Sequence, residues 1–155
     1  MIKALVSDFS RVLLFPKDKN FTGSLNEKYR ELLKKGDLDF FESFELNKEL
    51  LDFYQSLTKK LDLYILTSES IQEAPELQPF LKPTFKEIFS AKKLGVSKKE
   101  PSTYKLIADK IGVKTTEILY LDDNQENIKA ASASGIKAVL FINNQLALKE
   151  LASLS

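Results

Sequence analysis

The sequence contains no cysteine, no histidine and no tryptophan. The missing cysteine excludes a disulfide framework, a thiol nucleophile, an iron–sulfur cluster and a cysteine zinc site. The missing histidine excludes a Ser-His-Asp triad, an imidazole acid or base, and a His-ligated metal. Chemistry built from this alphabet uses carboxylates, hydroxyls, amines, guanidinium groups and backbone amides, and a metal is a hard cation held through oxygen. Charge of one sign is also lacking. Lys and Arg number 23 against 22 Asp and Glu, a net of +1, so no global field recruits nucleic acid or an anionic membrane. Long apolar runs are absent too. The N-terminal run over residues 2–6 is interrupted by Lys3 and closed by Asp8, too short for a signal peptide or a membrane span. A cysteine-free chain without such segments is expected in the reducing cytoplasm, where the Asn20-Phe21-Thr22 match to a glycosylation site is accidental.

What is present suits one compact domain with a small insertion. The chain has 155 residues, 43% hydrophobic and 29% charged, enough to bury a core. Residues 2–7, 63–66, 88–89, 118–121 and 138–142 are short apolar runs that read as strands. Between them the apolar spacing turns helical. Asn47 caps a segment with Leu50, Tyr54, Leu57 and Leu61 on one face. Ser97 to Glu100 resembles a capping box before Pro101, with Tyr104, Ile107, Ala108 and Ile111 buried and Gly112 as terminator. Asn124 caps a helix carrying Ile128 and Ala131, and Leu148, Leu151 and Leu154 suggest a last one. Residues 70–85 hold three prolines and are expected as loop with short helical pieces. Continuous apolar strands alternating with helices predict a three-layer, doubly wound (Rossmann-like) parallel sheet of about five strands. Residues 14–47 stand apart. They hold Pro16, Gly23, Gly36, one helical stretch with Tyr29, Leu32 and Leu33 on a stripe, and the group Phe40, Phe41 and Phe44.

Ligands of such sheets bind beyond the carboxyl ends of the strands, where strand order reverses. Four polar groups fall there: Asp8 after the first strand, Thr67 and Ser68 after the second, Lys98 in the connection after the third, and Asp122 and Asp123 after the fourth. Singly each has an ordinary reading, as a turn cap, a helix cap, a solvated lysine, or a turn with an N-cap. Together they put a nucleophile, a hydroxyl, a cation and a carboxylate pair on one sheet edge.

In this order the chain resembles the haloacid dehalogenase (HAD) superfamily. Val6-Ser7-Asp8-Phe9-Ser10-Arg11-Val12-Leu13 is similar to its first motif, and Leu63-Tyr64-Ile65-Leu66-Thr67-Ser68 to its second. The stretch from Gly95 to Tyr104 resembles its third, with Lys98 in the lysine position. Leu119-Tyr120-Leu121-Asp122-Asp123-Asn124, followed by Asn127, resembles its fourth. The resemblance implies a core of residues 1–13 and 48–155 with a small helical cap, residues 14–47, inserted after the first strand. It implies a Mg²⁺-dependent phosphatase acting on a small phosphorylated metabolite through an aspartyl phosphate. Asp8 is then the nucleophile, and Thr67, Ser68, Lys98 and Ser10 meet the phosphoryl group. Asp8, the Ser10 carbonyl and Asp123 hold the metal, with Asp122 as a further ligand or the holder of a bound water, and Asn127 orients the group from behind. A monomer or weak dimer is expected.

One position departs from the pattern. Typical family phosphatases carry a second aspartate, the general acid and base, where this chain has Ser10. A serine hydroxyl has no pKa near neutrality, and general acid–base help is worth about two to four orders of magnitude in rate. The resemblance therefore implies a folded metal site with slow or specialised turnover. A non-catalytic binding or regulatory protein is the alternative, and a carbon–halogen hydrolase a more distant one. Arg11, also unusual, either reaches a phosphate or points to solvent, with solvent the favoured expectation.

Overall fold

The computed structural model describes residues 1–36 and 38–154. Its first half runs β1 (Ala4–Ser7), β2 (Leu14–Pro16), α1 (Leu25–Lys35), α2 (Phe40–Ser43), β3 (Phe44–Leu46), α3 (Lys48–Leu57), β4 (Asp62–Thr67) and α4 (Gln78–Leu81). The second half is β5 (Glu87–Ser90), α5 (Ala91–Leu94), α6 (Pro101–Ile111), β6 (Ile118–Asp122), α7 (Gln125–Ala133), β7 (Lys137–Leu140) and α8 (Asn144–Leu151). Five strands form one parallel sheet in the order β5-β4-β1-β6-β7. The chain builds outward from β1 through β4 to β5, then returns across β1 to β6 and β7. The reversal of strand order therefore falls at β1, and Asp8 follows it directly.

Strand periodicity sorts the core into two layers. On β1, Leu5 joins one cluster while Ala4 and Val6 join the other; on β6, Leu119 and Leu121 part from Ile118 and Tyr120 in the same way. The first cluster packs under Leu50, Tyr54 and Leu57 of α3 and Ala147 and Leu151 of α8. The second packs under Tyr104, Ile107 and Ala108 of α6 and Ile128 and Ala131 of α7. Burial on both faces is why these strands are continuous apolar runs.

Helix boundaries follow local chemistry. Asn47 Oδ1 accepts from the Leu50 amide at 3.3 Å, and Asn124 Oδ1 accepts from the amides of Glu126 and Asn127. Gly112, at φ 79°, closes α6 in the left-handed region. The expected capping box before Pro101 does not form. Ser97 Oγ accepts from the Lys99 amide, the Ser97 carbonyl accepts from Thr103 Oγ1, and Glu100 occupies the cap without a side-chain bond. Ser97 thus shapes the loop that carries Lys98.

Residues 14–47 contain an element the helical reading omitted, a two-stranded antiparallel ribbon of β2 and β3 with α1 and α2 between them. Phe40 is its hub, with ring centroids 5.7 Å from Tyr29, 5.2 Å from Phe41 and 4.8 Å from Phe44. Leu33, expected in this packing, is half exposed, because the buried face of α1 passes through Leu25 and Asn26. Asn26 Oδ1 accepts the amides of Ser70 and Ile71, tying α1 to the loop after β4.

Candidate active site

Lys98 is the centre of the site. Its ammonium lies 2.7 Å from Asp8 Oδ1 and 2.9 Å from Asp122 Oδ2, and only 5% of the residue is exposed. Adjacent parallel strands bring the carboxylates together, since Ser7 is in register with Leu121 and the Asp8 amide extends the ladder to the Leu121 carbonyl at 2.8 Å. Thr67 ends β4 on the other side of β1 and is buried, whereas Ser68 is exposed. Ser68 and Lys98 line, with Asn124 and Asn127, a cavity of about 330 Å³.

Asp122 is fully buried and both its oxygens accept hydrogen bonds. Oδ1 accepts the Asn124 amide at 2.9 Å. Oδ2 accepts Asn127 Nδ2 at 3.0 Å, Lys98, and the Tyr120 hydroxyl. Tyr120 reaches it because residues two apart on a strand share a face. The Tyr104 ring stands edge-on to Tyr120 at 5.1 Å, and its hydroxyl donates to the Lys98 carbonyl at 2.6 Å. Behind Asp8, the Tyr54 hydroxyl donates to Ser7 Oγ at 2.9 Å and Ser7 Oγ donates to the Asp8 carbonyl at 2.8 Å. Sequence reasoning missed these three tyrosines. For Tyr120 a signal existed, a hydroxyl in an otherwise aliphatic strand two residues before Asp122.

These contacts divide the charges. Burial pushes the Asp8 carboxyl well above its ordinary value, and the charges of Asp122 and Asp123 add to this against the opposing pull of Lys98. Asp122 moves the other way: burial is outweighed by Lys98, the Tyr120 hydroxyl and the Asn124 amide, so it stays ionised. For Lys98, burial works against the charge but the two aspartates prevail and its value rises. Asp123 is pushed up, by desolvation first and then by Asp122.

The donor set suits a hard cation. Asp8, Asp122 and Asp123 each offer an oxygen within 4.8 Å of the others. Carboxylates gathered this closely repel one another unless a proton or a cation lies between them. All-oxygen ligation fits Mg²⁺, and the chain has no Cys or His, the softer ligands of zinc sites.

Around the first strand's end, Ser10 Oγ is buried and has no hydrogen-bond partner among the described residues. Arg11 does not point freely to solvent as expected. Its guanidinium donates to the carbonyls of Gly23 at 2.8 Å and Phe21 at 3.3 Å, and its backbone takes the left-handed φ of 62°.

A carboxylate at the switch point of a doubly wound sheet, charge-matched by a buried lysine and flanked by an acidic pair, defines a site for charge-assisted group transfer or hydrolysis. Comparison with known proteins makes the class specific: residues 18–135 match the model of the haloacid dehalogenase-like hydrolases, and the chain belongs to this family. That span includes Thr67, Lys98, Asp122 and Asp123, with Asp8 and Ser10 before it. Enolase-phosphatase E1 of Aquifex aeolicus is 33% identical over 109 residues, 64% of this chain and 48% of that protein. Bifunctional epoxide hydrolase 2 of Sus scrofa is 26% identical over 114 residues, 69% of this chain and 20% of that protein. The chain spans about half the length of the first curated relatives it matches. A HAD family enzyme of Bacteroides thetaiotaomicron, solved with magnesium and inorganic phosphate, superposes with a TM-score of 0.71 at 16% identity over 96% of this chain and 99% of its own. Among the described residues, no helix is long and apolar enough to cross a membrane.

Proposed function

We propose that the chain is a Mg²⁺-dependent phosphatase of a small phosphorylated molecule, with Asp8 as nucleophile. The observation that carries this reading is the buried Asp8–Lys98–Asp122 bridge beside Asp123, with a cavity of about 330 Å³ next to Lys98 that has room for a small phosphorylated molecule. Enolase-phosphatase relatives and a neighbour solved with magnesium and phosphate support it.

In this reading Lys98 fixes one oxygen of Asp8 and leaves the other to attack phosphorus. The Asp8 O–P bond forms, the bond to the leaving oxygen breaks, and that oxygen takes a proton from solvent. Water then attacks the aspartyl phosphate, releasing inorganic phosphate and restoring Asp8. Lys98 offsets the charge on Asp8 and on the incoming phosphate, while Thr67 and Ser68 donate to phosphoryl oxygens. A Mg²⁺ would be held by Asp8, Asp123 and the Ser10 carbonyl and would supply counter-charge to the phosphoryl group. Asp122 acts through Lys98 on Oδ2, and its Oδ1, which accepts only the Asn124 amide, serves as a further metal ligand or holds a bound water. Residues 14–47 serve as the cap that selects substrates, with Arg11 anchoring the start of that segment.

Ser10 cannot protonate the leaving oxygen, so the rate depends on how well that oxygen leaves unaided. Activated aryl phosphates should turn over faster than alkyl phosphates. The test is phosphate release from a metabolite panel and an aryl phosphate, with and without chelator, for wild type and Asp8→Asn. Turnover by wild type lost in the variant and under chelation is expected; activity surviving in Asp8→Asn overturns the reading. The buried, unpartnered Ser10 hydroxyl favours a second reading, a phosphate-binding protein without turnover. Calorimetric binding of phosphate and Mg²⁺ with no release from any member of the panel would select it.

A further inference from the structure

A second and larger cavity, about 930 Å³, shares no lining residue with the cavity beside Lys98. It opens between the β2–β3 ribbon and the starts of α3 and α8. Its walls are aromatic: Phe15 packs on Phe141 with centroids 6.3 Å apart, and Phe41 stands edge-on to Phe80 at 5.9 Å. Its rim is cationic. Arg11, Lys17, Lys19 and Lys48 face Glu45 and Glu49, a local excess of two positive charges in a chain whose total is +1. Among the described residues, Lys17, Lys19 and Lys48 form no ion pair, and Lys48 lies over the Phe80 ring at 5.7 Å. The volume is that of a small-molecule site, and aromatic walls with a few convergent polar groups are the usual lining of one.

We propose that this cavity binds a compact aromatic anion, its ring system between the two phenylalanine pairs and its acidic group on the Lys17, Lys19 and Lys48 rim. Edge-to-face packing suits a flat ring. Lysines without carboxylate partners give up little on meeting an anion, and a neutral or cationic ligand leaves their charge unanswered. The site is independent of Asp8, so it stands whether or not the chain turns over phosphate esters.

The test uses anilinonaphthalene sulfonate, an aromatic anion, in fluorescence titrations of the full chain, with the neutral N-phenylnaphthylamine as comparison. Saturable binding of one sulfonate probe per chain is expected, with the neutral probe at least about fivefold weaker. The Lys17→Glu/Lys48→Glu double variant should bind roughly tenfold more weakly, as expected for reversing two partly exposed charges. Asp8→Asn should bind as wild type does. Amide NMR shifts induced by the probe should cluster at Ile142, Asn143 and Asn144. Thermal melts of each variant verify folding, and Lys17→Gln/Lys48→Gln, with an intermediate loss expected, replaces the double reversal if that variant melts early. Absence of saturable binding, equal affinity for the neutral probe, unchanged affinity in both lysine variants, or shifts clustered at Ser68 and Asn124 would each overturn the proposal.

Discussion

Replacing Tyr120 by Phe removes one oxygen and little else. The ring keeps its edge-on contact with Tyr104, while Asp122 loses one of the donors on Oδ2. Lys98, Asn127 and the Asn124 amide remain. A hydrogen bond to a charged, buried group is worth about 1.5–3 kcal/mol. Part is regained because the hydroxyl itself no longer has to be desolvated, which leaves a net loss of about 1–2 kcal/mol. For a chain of this size that corresponds to a fall in melting temperature of about 3–6 °C. The pH dependence gives the sharper readout. Burial raises the carboxyl of Asp122 but is outweighed by Lys98 and Tyr120, so its folded value lies below the ordinary one. The resulting stability is present above the unfolded value of about 4 and is lost as pH falls through the depressed folded value. The gap between wild type and Tyr120→Phe should therefore be widest near neutrality and close as pH falls through the depressed folded value. Calorimetric melts across this range, in chelator, measure it. An equal gap at both ends would show that the hydroxyl does not support the charge on Asp122.

Three further outcomes follow from the same contacts. Ser10→Asp should raise phosphatase turnover by about two orders of magnitude or more and flatten the difference between aryl and alkyl phosphates; steady-state kinetics with both substrate types checks this. Lys98→Met strands two buried carboxylates and should cost about 3–5 kcal/mol near neutrality. The raised Lys98 value means wild-type stability from this group persists until pH passes the unfolded lysine value of about 10.4, whereas the variant, with Asp8 and Asp122 now both raised, should lose stability as pH climbs above about 4. Denaturant titrations at several pH values separate the two profiles. Arg11→Ala should be less stable than Arg11→Gly by roughly 1 kcal/mol, because both lose the bonds to Phe21 and Gly23 but only alanine keeps a Cβ at left-handed φ. Equal stabilities in urea would refute that account.

The parts of the molecule legible in the sequence are those where one physical pattern dominates. A strand buried on both faces must be apolar throughout, so β1, β4 and β6 announced themselves, and the polar residues at their carboxyl ends marked Asp8, Thr67 and Asp122. The β2–β3 ribbon did not, because each strand has three residues and its register is set by partners thirty positions away in the chain. Leu33 looked buried because it extends a stripe on α1, yet only neighbours decide which side of a short helix is covered, and the polar Asn26 is on the covered side. Arg11 was misread for the same reason: a long cation reads as solvated until its acceptors, two carbonyls ten and twelve residues ahead, are folded back onto it.

Ser10 shows how far such reasoning carries at the site itself. Its significance came from an aspartate that a family pattern puts there, and composition alone gives no hint of it. The fold adds a physical reason to take the replacement seriously. Among the described residues, the buried Ser10 hydroxyl makes no hydrogen bond. Lys98, Asp122, Tyr120 and Asn127 meanwhile keep a connected set of charge-assisted bonds around Asp8. Charges buried at this cost are expensive for stability and are not needed to fill a core. On the proposed phosphatase reading, this arrangement keeps what attack on phosphorus requires and lacks what a poor leaving group requires. The prediction that discriminates this from a merely relict site is the leaving-group dependence. Turnover should rise steeply as the leaving oxygen becomes less basic in wild type and only shallowly in Ser10→Asp, and equal slopes in the two proteins would mean that position 10 takes no part in proton transfer.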